Sequence, residues 1–87
     1  MHHDRLQQLL QDLHREVASA GSFDESTRQN LGALADELRA LAEGAEPPPE
    51  GGLRERLHQE VQRFEATHPT LAQTLANVID TLALYGL

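Results

Sequence analysis

Apolar residues return along this chain at alternating steps of four and three, and the rhythm is clearest at its end, where Leu71, Leu75, Val78, Leu82 and Tyr85 fall on one line. That is the period of a helix with one buried side. A second row, Ala72, Ala76, Ile79 and Ala83, lies beside the first when the segment is projected at about 100° per residue, so the apolar arc covers roughly half the circumference. Such a helix wants two neighbours. The reading goes one step further and takes the face of Leu71, Leu75, Val78, Ile79, Leu82 and Tyr85 as broader than one chain shelters, hence as the interaction surface of a homo-oligomer, with a dimer favoured.

The same rhythm marks three earlier helices. Leu6, Leu10, Leu13, Val17 and Ala20, with Leu9 widening the stripe, predict a first helix from Asp4 as N-cap to Ala20, ended by Gly21. Ser22 followed by Glu25 has the spacing of a capping box, which opens a second helix to about Glu43 with Leu31, Leu34, Leu38 and Leu41 inward and Gly44 closing it. The short connection makes these two an antiparallel hairpin, with Phe23 placed at the turn. Leu57, Val61 and Phe64 predict a third helix over 53–66, with Arg56, Glu60 and Arg63 on the outside. Pro69 stops it and fits the first position of the fourth helix, with Thr67 or His68 as cap. Gly86 and Leu87 suit a Schellman ending. Asp24 with Arg28, Asp36 with Arg39 and Arg39 with Glu43 are spaced for ion pairs on the outer face.

Between the pairs lies G-A-E-P-P-P-E-G-G, residues 44–52, whose consecutive prolines read as a stiff spacer. The organisation expected is therefore all-α and one helical domain: a hairpin over 1–43, a Pro/Gly linker over 44–52, and a second helical pair over 53–87 with a corner at His68–Pro69. Each stripe lasts only two or three heptads, which favours a compact bundle over a rod.

Composition narrows the function classes. Fourteen acids against seven bases give a net charge of −7, and every base is Arg. Nucleic acid and anionic membrane surfaces both require a clustered positive face, and here the arginines alternate with Asp and Glu, so neither is an expected partner. The absence of Cys removes disulfides, thiolate–zinc sites and thiol nucleophiles together. Large apolar anchors are scarce too: Phe23, Phe64 and Tyr85 are the aromatics, against fifteen Leu. A chain of this size buries only about 60–65% of its unfolded surface, so its core is marginal and association would help. With no leader-like run and no apolar stretch of spanning length, a cytoplasmic location is the expectation.

Chemistry-bearing patterns are few. Glu55 with His58 and Glu65 with His68 repeat the E-x-x-H spacing of di-iron bundles, but ten residues separate the two elements, which on one helix is about 15 Å of rise and an 80° offset. They cannot share an ion within one chain, and His68 lies past the helix end. Met1-His2-His3 has the nitrogen set of a square-planar Cu(II) or Ni(II) chelate, a pattern so undemanding that a frayed end is the plainer reading. Ser19, Ser22 and Ser26 sit near helix ends, where hydroxyls cap, and Gly51-Gly52 lacks the Lys and Ser/Thr of a phosphate loop. No catalytic residue, cofactor or metal ligand is assigned, and the function expected is a non-enzymatic protein-interaction or self-assembling module, with a metal- or small-ligand-binding bundle as the alternative.

The run R-F-E-A-T-H-P-T-L at 63–71, followed by A-N-V-I-D-T-L at 76–82 and Y-G-L at the end, resembles the F-E-x-x-H-P-x-L signature of a small proteobacterial family of helical proteins of unknown function. The L-x-x-L-H-x-E of Leu10–Glu16, the prolines in the middle and the length are similar as well. The resemblance covers nearly the whole chain and implies no catalytic residue to transfer.

Overall fold

A computed structural model describes residues 2–19, 21, 23–44 and 52–85. They form α1 (His2–Ser19), α2 (Glu25–Ala42), α3 (Leu53–Phe64) and α4 (Pro69–Leu82), the last continued by a short 3₁₀ turn, Ala83–Tyr85. No strand occurs among the described residues, and the fold is all-α. The linker prolines, Ser22, Gly86 and Leu87 lie outside the described residues, as do the side chains of His2 and His3; the capping box, the Schellman ending and the amino-terminal chelate therefore fall there.

Three helix boundaries differ from the sequence expectation. Asp4 does not cap α1, because the helix already runs from His2 and Asp4 lies within its first turn. Asp24 is the N-cap of α2: its backbone is extended and its Oδ1 accepts from the Thr27 N–H at 2.8 Å. The helix thus opens on D-x-x-T. α3 ends at Phe64, two residues early, because Thr67 and His68 both return their N–H groups to the Phe64 carbonyl before Pro69 begins α4. Two further expectations hold: Gly44 leaves α2 at φ +99° with its N–H on the Leu41 carbonyl, and Pro69 occupies the first position of α4; His68 stands at the N-cap position but makes no side-chain cap bond, and Ala20, the expected end of α1, lies outside the described residues.

All four helices contribute to one apolar cluster, in which Leu6, Leu13, Leu31, Leu38, Leu57, Leu75, Val78 and Leu82 are the most completely enclosed side chains. α4 packs against both α3 and α1, and α1 also packs against α2. Thr74, early in α4, bonds Glu16, late in α1, while Arg5 shares a recess with Asp80 and Leu84 at the other end, so α1 and α4 run in opposite directions. The radius of gyration is 12.2 Å, close to the roughly 12 Å of a compact chain this long.

This packing corrects the reading of α4. Leu71, Leu75, Val78, Ile79 and Leu82 are each no more than 5% exposed within a single chain, because two neighbouring helices, α1 and α3, pack against α4; of the second row Ala72 and Ile79 are buried, Ala76 is half-buried and Ala83 is exposed. The wide arc predicts two neighbours, and the chain supplies both. These five residues are core within one chain; the side chain of Tyr85 lies outside the described residues. Among the described residues Leu84 is the exposed large hydrophobic, at 55%.

Candidate functional site

With most of the leucines consumed by the core, two places among the described residues set buried polar groups between helices without a full set of partners. The first is the seam between α2 and α3. Here the period that makes Leu57 and Phe64 inward places Arg56, Glu60 and Arg63 to one side of them, toward α2. Arg56 donates from one terminal nitrogen to both carboxylate oxygens of Glu37 at 2.7 Å, and Arg63 donates to the Thr27 hydroxyl at 3.3 Å. Since Thr27 pairs with the later residue of α3 and Glu37 with the earlier, these two helices also run in opposite directions.

Glu60 was expected outside, yet its side chain is only 14% exposed, with Arg63 at 3.9 Å from Oε1. Its Oε2 and the Nε of Arg56 are buried without a hydrogen-bond partner in the chain. Both residues border a recess of about 240 Å³ that Asn30, Ala33 and Gln59 complete. One unmet acceptor and one unmet donor thus stand four residues apart on the same helix. Buried polar groups are seldom left so, because an unpaired one costs about 1–3 kcal/mol.

The second place is the corner where the end of α1 and the α1–α2 connection meet the start of α4. Phe23, half-buried, lies with its ring centroid 4.7 Å from that of His68 and 5.4 Å from that of Phe64; Phe64 and His68 meet edge-on at 5.8 Å. His68, held out of the helical region by Pro69 at φ −137° and ψ 70°, contributes its ring to this group. His68 Nδ1 lies 3.1 Å from the Thr67 hydroxyl. A recess of about 330 Å³ opens beside the rings, bordered by Glu16, Ser19, Phe23, His68, Pro69 and Thr70. Glu16 Oε2 accepts from the Thr74 hydroxyl at 3.0 Å, while Oε1 is buried and unpartnered.

The E-x-x-H residues are not brought together. His58, Glu55 and Glu65 are exposed and only His68 joins the corner; no group of three His, Cys, Asp or Glu side chains capable of holding a metal forms among the described residues. Neither recess was legible beforehand. Glu16 and Thr74 lie 58 positions apart, and nothing local marks either as special.

A family model described as Domain of unknown function (DUF4404) matches residues 6–87, so the chain belongs to that family. No curated protein and no solved structure matches it significantly.

Proposed function

We propose that this member of the DUF4404 family is a non-enzymatic protein-interaction module, built as two antiparallel helical hairpins within one domain, that self-associates as a dimer in the cytoplasm through α2 and α3. The observation that carries the reading is the unmet pair in the seam, Arg56 Nε and Glu60 Oε2. A two-fold interface repeats every contact in both directions. When α3 meets its own copy antiparallel, Arg56 of each chain stands opposite Glu60 of the other, and one two-fold operation brings all four groups together.

Charge supports the same face. Residues 25–42 and 53–64 hold Arg28, Arg39, Arg54, Arg56 and Arg63 against Glu25, Asp36, Glu37, Glu55 and Glu60, a neutral balance, so the rest of the chain carries the whole net charge of −7. Two acidic copies repel least where α2 and α3 face each other.

The test is molar mass in solution together with one engineered thiol. The chain has no Cys, so Gln59→Cys, at the recess, should give a disulfide-linked dimer on mild oxidation, whereas Gln73→Cys on the exposed side of α4 should not. Arg56→Glu and Glu60→Arg should each be monomeric alone and form a heterodimer when mixed. A one-chain mass at every concentration, or equal cross-linking at both positions, overturns the proposal.

A further inference from the structure

The recess at the corner sets a carboxylate beside aromatic walls, and this pairing points to its ligand class independently of the α2–α3 seam. Two hydroxyl protons at its edge, those of Ser19 and Thr74, are already engaged inward. Ser19 Oγ donates to the Glu16 carbonyl at 3.2 Å. The Thr74 hydroxyl, near the recess, has a single proton for two acceptors, Glu16 Oε2 at 3.0 Å and the Thr70 carbonyl at 3.1 Å. Whenever it turns to Thr70, as hydroxyls within helices commonly do, the Glu16 carboxylate has no donor at all.

What these two residues bring to the edge of the recess is acceptors: the half-buried Glu16 carboxylate, whose Oε1 lies just beneath the surface without a partner, and the lone pairs of Ser19. Around them stand apolar and aromatic walls, Phe23, Pro69 and the His68 ring. A carboxylate at the base of an aromatic-walled recess is complementary to a cation that is flat, rich in N–H donors and weakly hydrated. A guanidinium fits each requirement, since its fork reaches a carboxylate while its plane lies on a ring. The chain's net charge of −7 adds a favourable long-range field.

We infer that the Glu16–Phe23–His68 recess is a binding site for a guanidinium group. Glu16 supplies the charge; the rings supply the wall. The group could arrive as an arginine side chain of a protein partner or as a free guanidine compound, and the experiment separates these sources.

The isotope-labelled full chain is titrated with N-acetyl-arginine amide and, in parallel, with N-acetyl-citrulline amide, which has nearly the same shape without the charge. Arginine should move the backbone signals of Ser19, Phe23, His68 and Thr70 saturably, with half-saturation in roughly the millimolar range, and citrulline should not. Glu16→Gln, which keeps an acceptor for Thr74 but loses the charge, should abolish the shifts while the rest of the spectrum stays folded. Thr70→Trp, an exposed position on the rim, should reduce them by obstruction and serves if the Gln variant fails to fold. A short peptide placing one arginine between apolar residues binding at least about tenfold tighter than the amide assigns the source to a protein partner; equal binding assigns it to a free guanidine. No saturable shift with arginine, equal shifts with citrulline, or undiminished shifts in both variants overturns the inference.

Discussion

Arg56 holds both carboxylate oxygens of Glu37 at 2.7 Å across 19 positions of sequence, and this grip is the closest link between α2 and α3. The leucines fill the core between the helices; this link is ionic. Both partners are partly exposed, 41% and 32%, so solvent screens much of the attraction. A double-mutant cycle with Arg56→Ala and Glu37→Ala should return a coupling of about 0.2–1 kcal/mol that shrinks with added salt. A coupling well above that range, insensitive to salt, would mean the pair is dry and structural.

The centre of stability lies in α4. Leu75 and Leu82 are fully enclosed, and truncating such a leucine to Ala costs about 2–5 kcal/mol, a large share of the 5–15 kcal/mol that small domains possess. Leu75→Asp or Leu82→Asp, which places an unpaired charge in the core, should leave the chain unfolded at room temperature. His58→Ala, at an exposed position on α3, should melt with the parent. Circular dichroism melts of the three variants check the assignment, and equal effects at Leu75 and His58 would show that the core has been misplaced.

α2 depends at its start on Asp24. Hydrogen bonds from Thr27, first from its hydroxyl and then from its backbone N–H, hold the Asp24 carboxyl below its usual value, with the positive charge of Arg63 adding to the effect. A lowered folded value means that the stabilisation is complete above the unfolded value and is lost as the pH falls through the folded one. Helicity should therefore drop in strong acid, in part through this cap. Asp24→Asn retains a capping acceptor but does not titrate, so its acid transition should be shallower than the parent's. Superimposable acid transitions would remove Asp24 from the cause.

Much of the helical plan is legible in the sequence because the four-three rhythm of leucines is a local signal, and Leu31, Leu34, Leu38, Leu71, Leu75 and Leu82 all turn inward as it requires. Among the buried positions it misses are Ala35, Ala42 and Leu53, at the edges of the stripes, and three threonines, Thr27, Thr74 and Thr81. Thr74 and Thr81 are enclosed because each hydroxyl bonds the carbonyl four residues back, which hides its polarity from the surroundings. Glu60 is misplaced for another reason: its burial depends on how near α2 approaches, a distance that no pattern within α3 encodes. The corner rings combine Phe23 with His68, 45 positions apart in sequence; Pro69 announces a bend but not what packs into it. The breadth of the α4 stripe asks for two neighbours, and α1 and α3 supply them; the arc alone does not say how many helices of the same molecule will meet it.

The corner stack is testable as a coupling. Phe64 is 5% exposed and the most buried of the three rings, so Phe64→Ala should cost about 3–5 kcal/mol. The rim pair, Phe23 with His68, should contribute less: a cycle of Phe23→Leu and His68→Ala is expected to give about 0.5–1.5 kcal/mol. Strict additivity of those two substitutions would reduce their ring contact to mere adjacency.

Two glycines should respond to Ala with opposite signs. Gly32 lies in the middle of α2, exposed, and a methyl group built there meets nothing within 4 Å; helical Gly is destabilising by roughly 0.5–1 kcal/mol relative to Ala. Gly32→Ala should therefore raise the melting temperature by restricting the unfolded chain. Gly52 also has open space around it, but it precedes α3 at φ +58°, where an L side chain strains the backbone by about 1–2 kcal/mol. Gly52→Ala should lower the melting temperature, and Gly52→Asn, whose side chain tolerates the left-handed region, should lower it less. Because neither site has a packing contact to lose, the contrast isolates backbone conformation from packing; a Gly52→Ala variant as stable as the parent would mean that α3 starts with equal ease from another conformation.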